Sequence, residues 1–284
     1  MTLNEAWVAL SLVRHIGNKT IERLLENFGS CEAILSASTD DLMQVKGIGQ
    51  KIADAVVSIE LDTVRRDIEN WQNAGVHIIP QNSEKFPQIL TTIPDPPLTL
   101  FVRGNYQPET WQNAVAIVGT RNPTTQSIEL ARKLATLYTE SGWTVVSGLA
   151  LGIDTQAHMG ALNVEHGRTV AVLGGGVLNI YPPGNEPLAN SILEHNGAIL
   201  SENSPDASSS APRLVRRNRI ISGLCQRIIV VQSDVKGGAM HAANFASKQG
   251  REIFTVDWRF SGNQSLLKSG ATPVNPDAPV IPSL

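Results

Sequence analysis

From Ala114 onward, short apolar segments rich in β-branched residues alternate with longer segments of helical periodicity. Helical segments such as 128–140 and 239–249 separate six apolar segments, which lie at 115–118, 144–146, 169–173, 199–200, 227–231 and 253–256. Continuously apolar strands joined through helices indicate a parallel sheet that helices cover on both faces. We therefore predict an extended Rossmann-like, doubly wound α/β domain with a mostly parallel sheet, whose ligands bind at the carboxyl ends of the strands.

The residues before this domain predict a different organisation. Residues 1–62 show only helical spacing with glycine breaks, which predicts a small all-helical domain of the helix-hairpin-helix (SAM-like) type. The large domain is expected at 63–272, and its first part, 63–112, is a linking or edge segment with strands at 76–79 and 98–102. Residues 273–284 are expected to be a short surface tail without a winged helix.

Composition restricts the class of protein. The 284 residues include 23 Lys and Arg against 26 Asp and Glu, so the net charge is −3, which argues only weakly against a nucleic-acid partner because local charge binds phosphate. Cys31 and Cys225 stand far apart without a CxxC motif, which predicts buried thiols and excludes a disulfide framework or thiolate zinc site. We expect no metal, no cofactor, no membrane span and a cytoplasmic location.

The helical region contains a hairpin motif of a kind that can contact phosphate. In Lys46-Gly47-Ile48-Gly49-Gln50-Lys51, two glycines flank an apolar residue at the start of a helix, so Gly47, Gly49 and the amides can approach a phosphate beside Lys46 and Lys51. An earlier copy, His15-Ile16-Gly17, has His15 where a glycine is expected. Phosphate binding and simple packing of the tandem hairpins are equally open.

The first strand of the large domain ends at Gly119, Thr120 and Arg121. Glycine lets the backbone approach a ligand, Thr120 offers a hydroxyl, and the Arg121 guanidinium suits a phosphate. A tight turn with a solvated arginine is the alternative, and the position at a strand end favours binding.

Other strand ends carry further glycine turns, at which backbone amides can face an anion. Tyr181 either stacks on a base or packs its own loop. For Asp154 and His158, helix capping and core packing are favoured over ligand binding. The residues of these turns in the predicted site are Ser147, Gly148, Gly152, Gly174, Gly175, Gly176, Gly237 and Gly238.

The most basic segment, 213–227, contains five arginines and no acid. Surface runs of charge usually mix signs, so an arginine-only run favours phosphate contact by Arg217 and Arg219, with Asn218 between them. Glu202, the one acid expected near the cleft, is equally placed to hold Arg217 or Arg219 in position.

Several enzyme classes are disfavoured by the motifs. No GxGxxG with a correctly spaced acid, GxxxxGK[ST], GxSxG or HExxH occurs, and no pair of carboxylates is brought together by spacing. We therefore predict no catalytic residue.

The ordered set of motifs resembles the DprA/Smf family of DNA-processing proteins. It comprises His77-Ile78-Ile79, Phe86-Pro87, Pro96-Pro97, Arg103-Gly104-Asn105, Gly119-Thr120-Arg121, Ser147-Gly148-Leu149-Ala150, Gly152-Ile153-Asp154, Ala157-His158, Leu173-Gly174-Gly175-Gly176, Tyr181-Pro182 with Asn185, Ser201-Glu202, Arg217-Asn218-Arg219-Ile220-Ile221, Gly250-Arg251 and Gly270-Ala271. The resemblance implies an extended Rossmann fold, a homodimer, single-stranded DNA binding that includes Asn185, and a non-catalytic role in RecA loading, recombination and natural transformation.

The last third departs from the family pattern. Leu214-Val215 stand where Phe-Pro is usual, and residues 237–243 read GGAMHAA where an SGxxxTA-like run is expected. These departures suggest a divergent member with a changed ligand or partner. The rival functions are a nucleotide-binding sensor and a nucleotide-processing hydrolase related to phosphoribohydrolases, although residues 173–180 do not match the PGGxGT loop of those enzymes.

Overall fold

The fold is described from a computed structural model that covers residues 3–107 and 111–279. One nine-stranded sheet has the order β1-β2-β6-β5-β4-β3-β7-β8-β9. Its strands are β1 (Val76–Pro80), β2 (Thr99–Gly104), β3 (Ala114–Val118), β4 (Thr144–Ser147), β5 (Thr169–Val172), β6 (Ala198–Ser201), β7 (Arg227–Val230), β8 (Glu252–Val256) and β9 (Thr272–Val274).

The seven strands that follow one another across the sheet from β6 to the β9 edge pair in parallel. At the other edge, β1 and β2 are antiparallel to each other, and β2 is antiparallel to β6. This arrangement confirms the predicted mostly parallel α/β sheet. The chain moves outward in one direction from β3 through β4, β5 and β6, and then returns to the other side of β3 with β7. The crevice between β3 and β7 is therefore the topological switch point, at which such folds bind ligands.

Helices cover both faces of the sheet and form the N-terminal region. They are α1 (Glu5–Leu12), α2 (Asn18–Phe28), α3 (Cys31–Leu35), α4 (Thr39–Met43), α5 (Gln50–Val57), α6 (Leu61–Asn73), α7 (Gln88–Thr91), α8 (Thr125–Glu140), α9 (Ile153–Leu162), α10 (Glu186–Glu194), α11 (Ala211–Arg216), α12 (Asn218–Gly223), α13 (Gly238–Lys248) and α14 (Ser261–Lys268).

The apolar sequence of β3 explains why its strand lies in the centre. All five residues of Ala114–Val118 are buried. Val115 and Ile117 pack in the core on one face, with α8 and α9, while Ala116 and Val118 pack in the core on the other, with α12 and α13. Successive side chains point to opposite faces of a strand, so both faces of β3 need apolar residues.

The N-terminal region contains the two predicted hairpins. Ile16 and Ile48 are both buried in the helical core. Gly47 has φ +95° and His15 has φ +73°, so His15 occupies the left-handed position that glycine holds in the second hairpin. The indole Nε1 of Trp7 donates to the Leu98 carbonyl at 2.9 Å and joins this region to the sheet domain.

Two boundaries differ from expectation. The predicted surface tail is wrong at its start, because residues Thr272–Val274 form β9, parallel to β8, and Val274 is buried. Backbone pairing to an open sheet edge needs little apolar sequence, so hydrophobic patterning missed this strand. Residues 280–284 of that tail lie outside the described residues. Helix α6 runs through the expected domain boundary at residue 62.

Cys31 and Cys225 are buried free thiols, as predicted. Within 3–107 and 111–279, no helix is long and apolar enough to cross a bilayer. The same ranges contain no cluster of three or more His, Cys, Asp or Glu side chains that suits a metal ion.

Candidate functional site

A cavity of about 330 Å³ opens at the switch point, between the carboxyl ends of β3 and β7. Loops after these strands, the turn after β4 and the α11–α12 junction form its walls. The lining residues are Val118, Gly119, Thr120, Arg121, Ala150, Asp154, Leu214, Val215, Arg217, Asn218, Gly237, Gly238, Ala239, His241 and Ala242. We call this space the switch-point cavity. Motifs that are far apart in the sequence therefore meet at one place.

Arg121 is the exposed cation of this cavity. The turn that carries it is fixed because the Thr120 amide donates to the Gln232 carbonyl at 2.8 Å and the Ile153 amide donates to the Thr120 carbonyl at 3.1 Å. A Cβ on Gly119 would lie 2.6 Å from an Ile153 side-chain carbon, so glycine is required for this packing. The backbone turn is rigid, while the arginine side chain remains accessible.

Another wall of the cavity is the start of α13. Gly237 is the N-cap residue and makes no side-chain cap, and a Cβ on Gly238 would have open space around it. Backbone N–H groups at the first turn of a helix lack intrahelical acceptors and carry partial positive charge. This wall therefore adds amide donors to the cavity that Arg121 lines, which suits an anion.

Arg217 lies beneath the cavity floor and is only 5% exposed. Its guanidinium donates to the carbonyls of Gly148 and Val172, the latter at 2.5 Å, and lies 3.9 Å from an Asp154 carboxylate oxygen. A Cβ on Gly148 would fall 2.1 Å from the guanidinium, so glycine at 148 makes room for Arg217 rather than for a ligand. Burial lowers the pKa of Arg217, an effect that Asp154 opposes and Arg121 reinforces.

Asp154 is buried beside Arg217, and its expected role as a helix N-cap is wrong. Gly152 caps α9, while the Asp154 carboxylate accepts the amides of Gly148 at 3.1 Å and Ala150 at 3.4 Å. Burial raises the pKa of this carboxyl, and the Arg217 charge and both amides act against that rise. Asp154 thus ties the loop after β4 to the arginine of the floor.

A smaller cavity of about 60 Å³ adjoins the first and shares Arg121, Ala150, Leu214 and Arg217 with it. Tyr181 and Leu151 line this second space and are 46% and 50% exposed. Val215, on the wall of the switch-point cavity, is 37% exposed. Exposed apolar side chains next to a cationic site offer surfaces on which planar bases can stack.

The remaining predicted residues lie behind the cavity walls. The glycines at 174, 175 and 176 approach residues 204–214 of the chain itself, where a Cβ would come within 2.0 to 2.9 Å of neighbouring atoms. Ser147 donates to the Ile117 carbonyl, and Asn185 donates to the Leu149 carbonyl and the Thr155 hydroxyl at 2.8 and 2.9 Å. These residues position the site loops.

Arg219 faces away from the switch-point cavity. It is 3% exposed and pairs with Glu202 and, at 3.1 Å, with Asp95. Of the two arginine partners that the sequence offered for Glu202, the structure selects Arg219. Lys46, Gly47, Gly49 and Lys51 are exposed in the helical region, around the start of α5.

Sequence reasoning missed several lining residues, and the most informative of them are Leu214, Val215 and His241. All three fall where the chain departs from the family pattern, and that departure was the available signal. His241 is exposed in the first two turns of α13. The departures therefore change the wall of the cavity itself.

His158 makes the free energy of unfolding depend on pH. The Thr169 hydroxyl donates to the Val145 carbonyl, so His158 Nδ1, 2.7 Å from that oxygen, must carry a proton and donate. Burial, and secondarily the Arg217 charge, lower the pKa of His158 to about 3. An unfolded histidine binds a proton near its ordinary pKa of 6.5 and the folded one does not, so the free energy of unfolding falls as pH decreases from 6.5.

We expect the variant His158→Gln to lose this dependence. Between pH 6.5 and 4 the wild-type free energy of unfolding should fall relative to the variant, with a slope of up to about 1.4 kcal/mol per pH unit. Urea unfolding of both proteins at matched pH values measures the difference. Parallel curves would mean that folding does not lower the pKa of His158.

Comparisons with known proteins agree with this architecture. A family model described as DNA recombination-mediator protein A matches residues 77–282, and a helix-hairpin-helix motif model matches residues 6–62. Protein Smf of Synechocystis sp. is 34% identical over 254 residues, which cover 88% of this chain and 63% of that protein. DNA processing protein DprA of Bacillus subtilis is 37% identical over 211 residues, 72% of this chain and 70% of that protein. The chain thus matches 63% and 70% of the lengths of these relatives.

Two solved structures are similar over most of this chain. DNA processing protein A of Streptococcus pneumoniae matches with a TM-score of 0.80 and 26% identity, over 96% of this chain and 95% of that chain. DNA processing protein A of Helicobacter pylori, described with a single-stranded DNA binding mode, matches with a TM-score of 0.62 and 30% identity, over 71% of this chain and 92% of that chain.

Proposed function

The chain belongs to the DNA recombination-mediator protein A family, and from this membership we propose that it binds single-stranded DNA at the switch-point cavity. The observation that carries the proposal is that exposed Arg121 and the start of α13, which has no side-chain cap, line the same cavity. A guanidinium and free amide donors in one cavity suit a backbone phosphate. The apolar side chains at 151, 181 and 215 supply the stacking surface that a single strand needs.

Arg121 and Arg217 take different parts in this proposal. Arg121 contacts a phosphate directly, whereas Arg217 supports the floor through its carbonyl and Asp154 contacts. The Arg217 Nε has no hydrogen-bond partner among the described residues, but it is buried, so the supporting role is the one that we propose for this arginine. Phosphate contacts hold a strand without reading bases, so we expect little sequence preference.

The carboxylate that lines the cavity is not free to activate water for hydrolysis. Asp154 is the carboxylate among its lining residues, and that group is engaged by two amides and Arg217. A carboxylate acts as a general base only where it is within reach of a water and free to accept its proton, and Asp154 is not free in this way. We therefore propose a binding protein without catalytic activity, in preference to the phosphoribohydrolase alternative.

Family membership also supports proposals about partners. We propose that the protein acts as a homodimer, delivers single strands to the RecA recombinase and takes part in DNA uptake by natural transformation. Lys46 and Lys51, exposed around the hairpin before α5, are proposed as a secondary phosphate contact. We also propose that residues 1–62 form a helical domain of their own, although α6 continues beyond that boundary.

The variant Arg121→Glu tests the proposed function. A charge-assisted hydrogen bond contributes about 1.5–3 kcal/mol, so affinity for oligothymidylate should fall by about 10- to 150-fold at low salt. Loss of one phosphate contact should also reduce the slope of log K against log salt concentration by about 0.7. Fluorescence anisotropy with a labelled oligothymidylate measures both quantities.

Arg132→Glu is the matched control, because Arg132 is exposed on α8 and outside the cavity lining. It makes the same change of charge and should bind as wild type. Equal binding by wild type and Arg121→Glu would show that DNA does not bind at the switch-point cavity. Release of free base from a nucleoside monophosphate by the wild type would favour the hydrolase.

A further inference from the structure

A second groove, of about 690 Å³, runs between the helical region and the sheet domain. One wall is the end of α1 and the first hairpin, at residues 11–17. The other walls are residues 96–99, the segment after β6 at 202–204, and the segment from 208 to 216 that includes α11. We call this space the interdomain groove. It is separate from the switch-point cavity and contains a hairpin that the proposed DNA site does not use.

The charge of the groove is positive although the chain is negative overall. Its ionisable lining residues are Arg14, His15, Glu202, Arg213 and Arg216. Glu202 and the adjoining Asp95 are matched by Arg216 and Arg219, with which both form ion pairs. Two carboxylates and two guanidiniums therefore cancel, and the remaining charge belongs to Arg14 and Arg213.

Arg14 and Arg213 form no ion pair with any residue in 3–107 or 111–279. Arg213 donates to the Ser208 carbonyl at 2.7 Å, and both side chains are exposed. They come from opposite walls, Arg14 from the helical region and Arg213 from α11. Two arginines without ion-pair partners line one groove together with the serines at 208–210, and this combination suits a phosphodiester backbone.

Helix α11 connects the groove to the switch-point cavity. Leu214, Val215 and the adjacent Arg217 line the cavity, whereas Arg213 and Arg216 line the groove. Helix α11 has six residues and contributes side chains to both spaces. A helix with its side chains is about 10 Å across, which is a short distance for a strand that leaves the cavity and enters the groove.

We propose that the interdomain groove is a second binding site for the same DNA strand, in which Arg14 and Arg213 hold phosphates that lie beyond α11. The inference rests on the proposed function of the switch-point cavity, and it assigns a binding role to the junction of the two regions. A short oligonucleotide occupies the cavity alone, while a longer strand passes over α11 into the groove. Affinity therefore increases with length until the groove is filled.

The test is a length series of oligothymidylates, from about three to about twenty nucleotides, with the double variant Arg14→Glu/Arg213→Glu. We expect the variant to bind the shortest oligonucleotide as wild type does and to lose the gain with length, by about tenfold or more at low salt. For the longest strand, the slope of log K against log salt concentration should fall by about 1.4, for two phosphates.

The control is Arg132→Glu/Lys133→Glu, which reverses two charges on the exposed surface of α8. It should keep the gain with length. The groove proposal is overturned if Arg14→Glu/Arg213→Glu keeps the wild-type gain, or if the α8 control loses as much. Failure of the proposed function has a different signature, since wild type would then bind no length, or Arg121→Glu would bind the shortest strand normally.

Discussion

Replacement of Arg217 by glutamine is expected to destabilise the protein by about 3–5 kcal/mol, because it leaves the Asp154 carboxylate buried without its cation. The same substitution removes guanidinium donors from the carbonyls of Gly148 and Val172. A buried acceptor without a partner adds its own desolvation cost. The midpoint of urea unfolding should therefore shift to a lower urea concentration.

Two further variants separate the buried charge from general effects. Arg217→Gln/Asp154→Asn removes the unpaired charge and should recover a substantial part of the lost stability. Arg216→Gln removes an arginine that is 53% exposed and 3.6 Å from its acidic partners, and it should cost less than about 1 kcal/mol. If Arg217→Gln unfolds at the same urea concentration as Arg216→Gln, the buried pair contributes nothing.

This expectation also decides how DNA binding should be tested. A charge reversal at Arg217 lowers binding through loss of the folded cavity, whatever the role of its guanidinium. Arg121 has an exposed side chain and its backbone turn is held by Thr120 and Ile153. Substitution there reports on phosphate contact alone, and Arg121→Glu is the informative variant.

The second large effect is expected for Gly152→Ala. Gly152 has φ +81°, and a Cβ there would lie 2.4 Å from the Thr120 carbonyl oxygen and 2.8 Å from Arg121 backbone atoms. The left-handed backbone costs an alanine about 1–2 kcal/mol, and overpacking against backbone adds about 1–3 kcal/mol. The clash pushes on the turn that presents Arg121, so binding of oligothymidylate should weaken together with stability.

Gly142→Ala is a closely matched control. Gly142 has the same φ of +81°, and a Cβ there has no atom within 4 Å. It should therefore show the backbone cost alone and bind DNA as wild type does. The difference between the two variants in free energy of unfolding isolates the contact with the 119–121 turn. If both variants lose the same stability, the turn moves aside at little cost.

Much of the fold follows directly from local sequence. The apolar segments from 115 to 256 predicted the central parallel strands, because strands buried on both faces need continuous apolar residues. β9 was missed because an edge strand of three residues carries almost no apolar signal. The glycines at strand ends were located correctly as tight turns, but sequence alone did not tell what approaches them.

The glycine triplet at 174–176 illustrates this limit. Close approach was predicted, and it exists, but the approaching atoms belong to residues 204–214 of the same chain. Absence of a side chain indicates only that something passes close by. Whether a ligand or the protein backbone fills the space depends on the path of a distant segment.

The sequence by itself determined the sheet architecture, the family resemblance and the concentration of five arginines in 213–227. The tertiary structure decided what each arginine does. Arg213 is exposed in the interdomain groove, Arg217 supports the cavity floor beside Asp154, and Arg219 is paired with Glu202. The physical reason is that the effect of a charge depends on its burial and on the distance to opposite charges, and folding brings those acids from other parts of the chain.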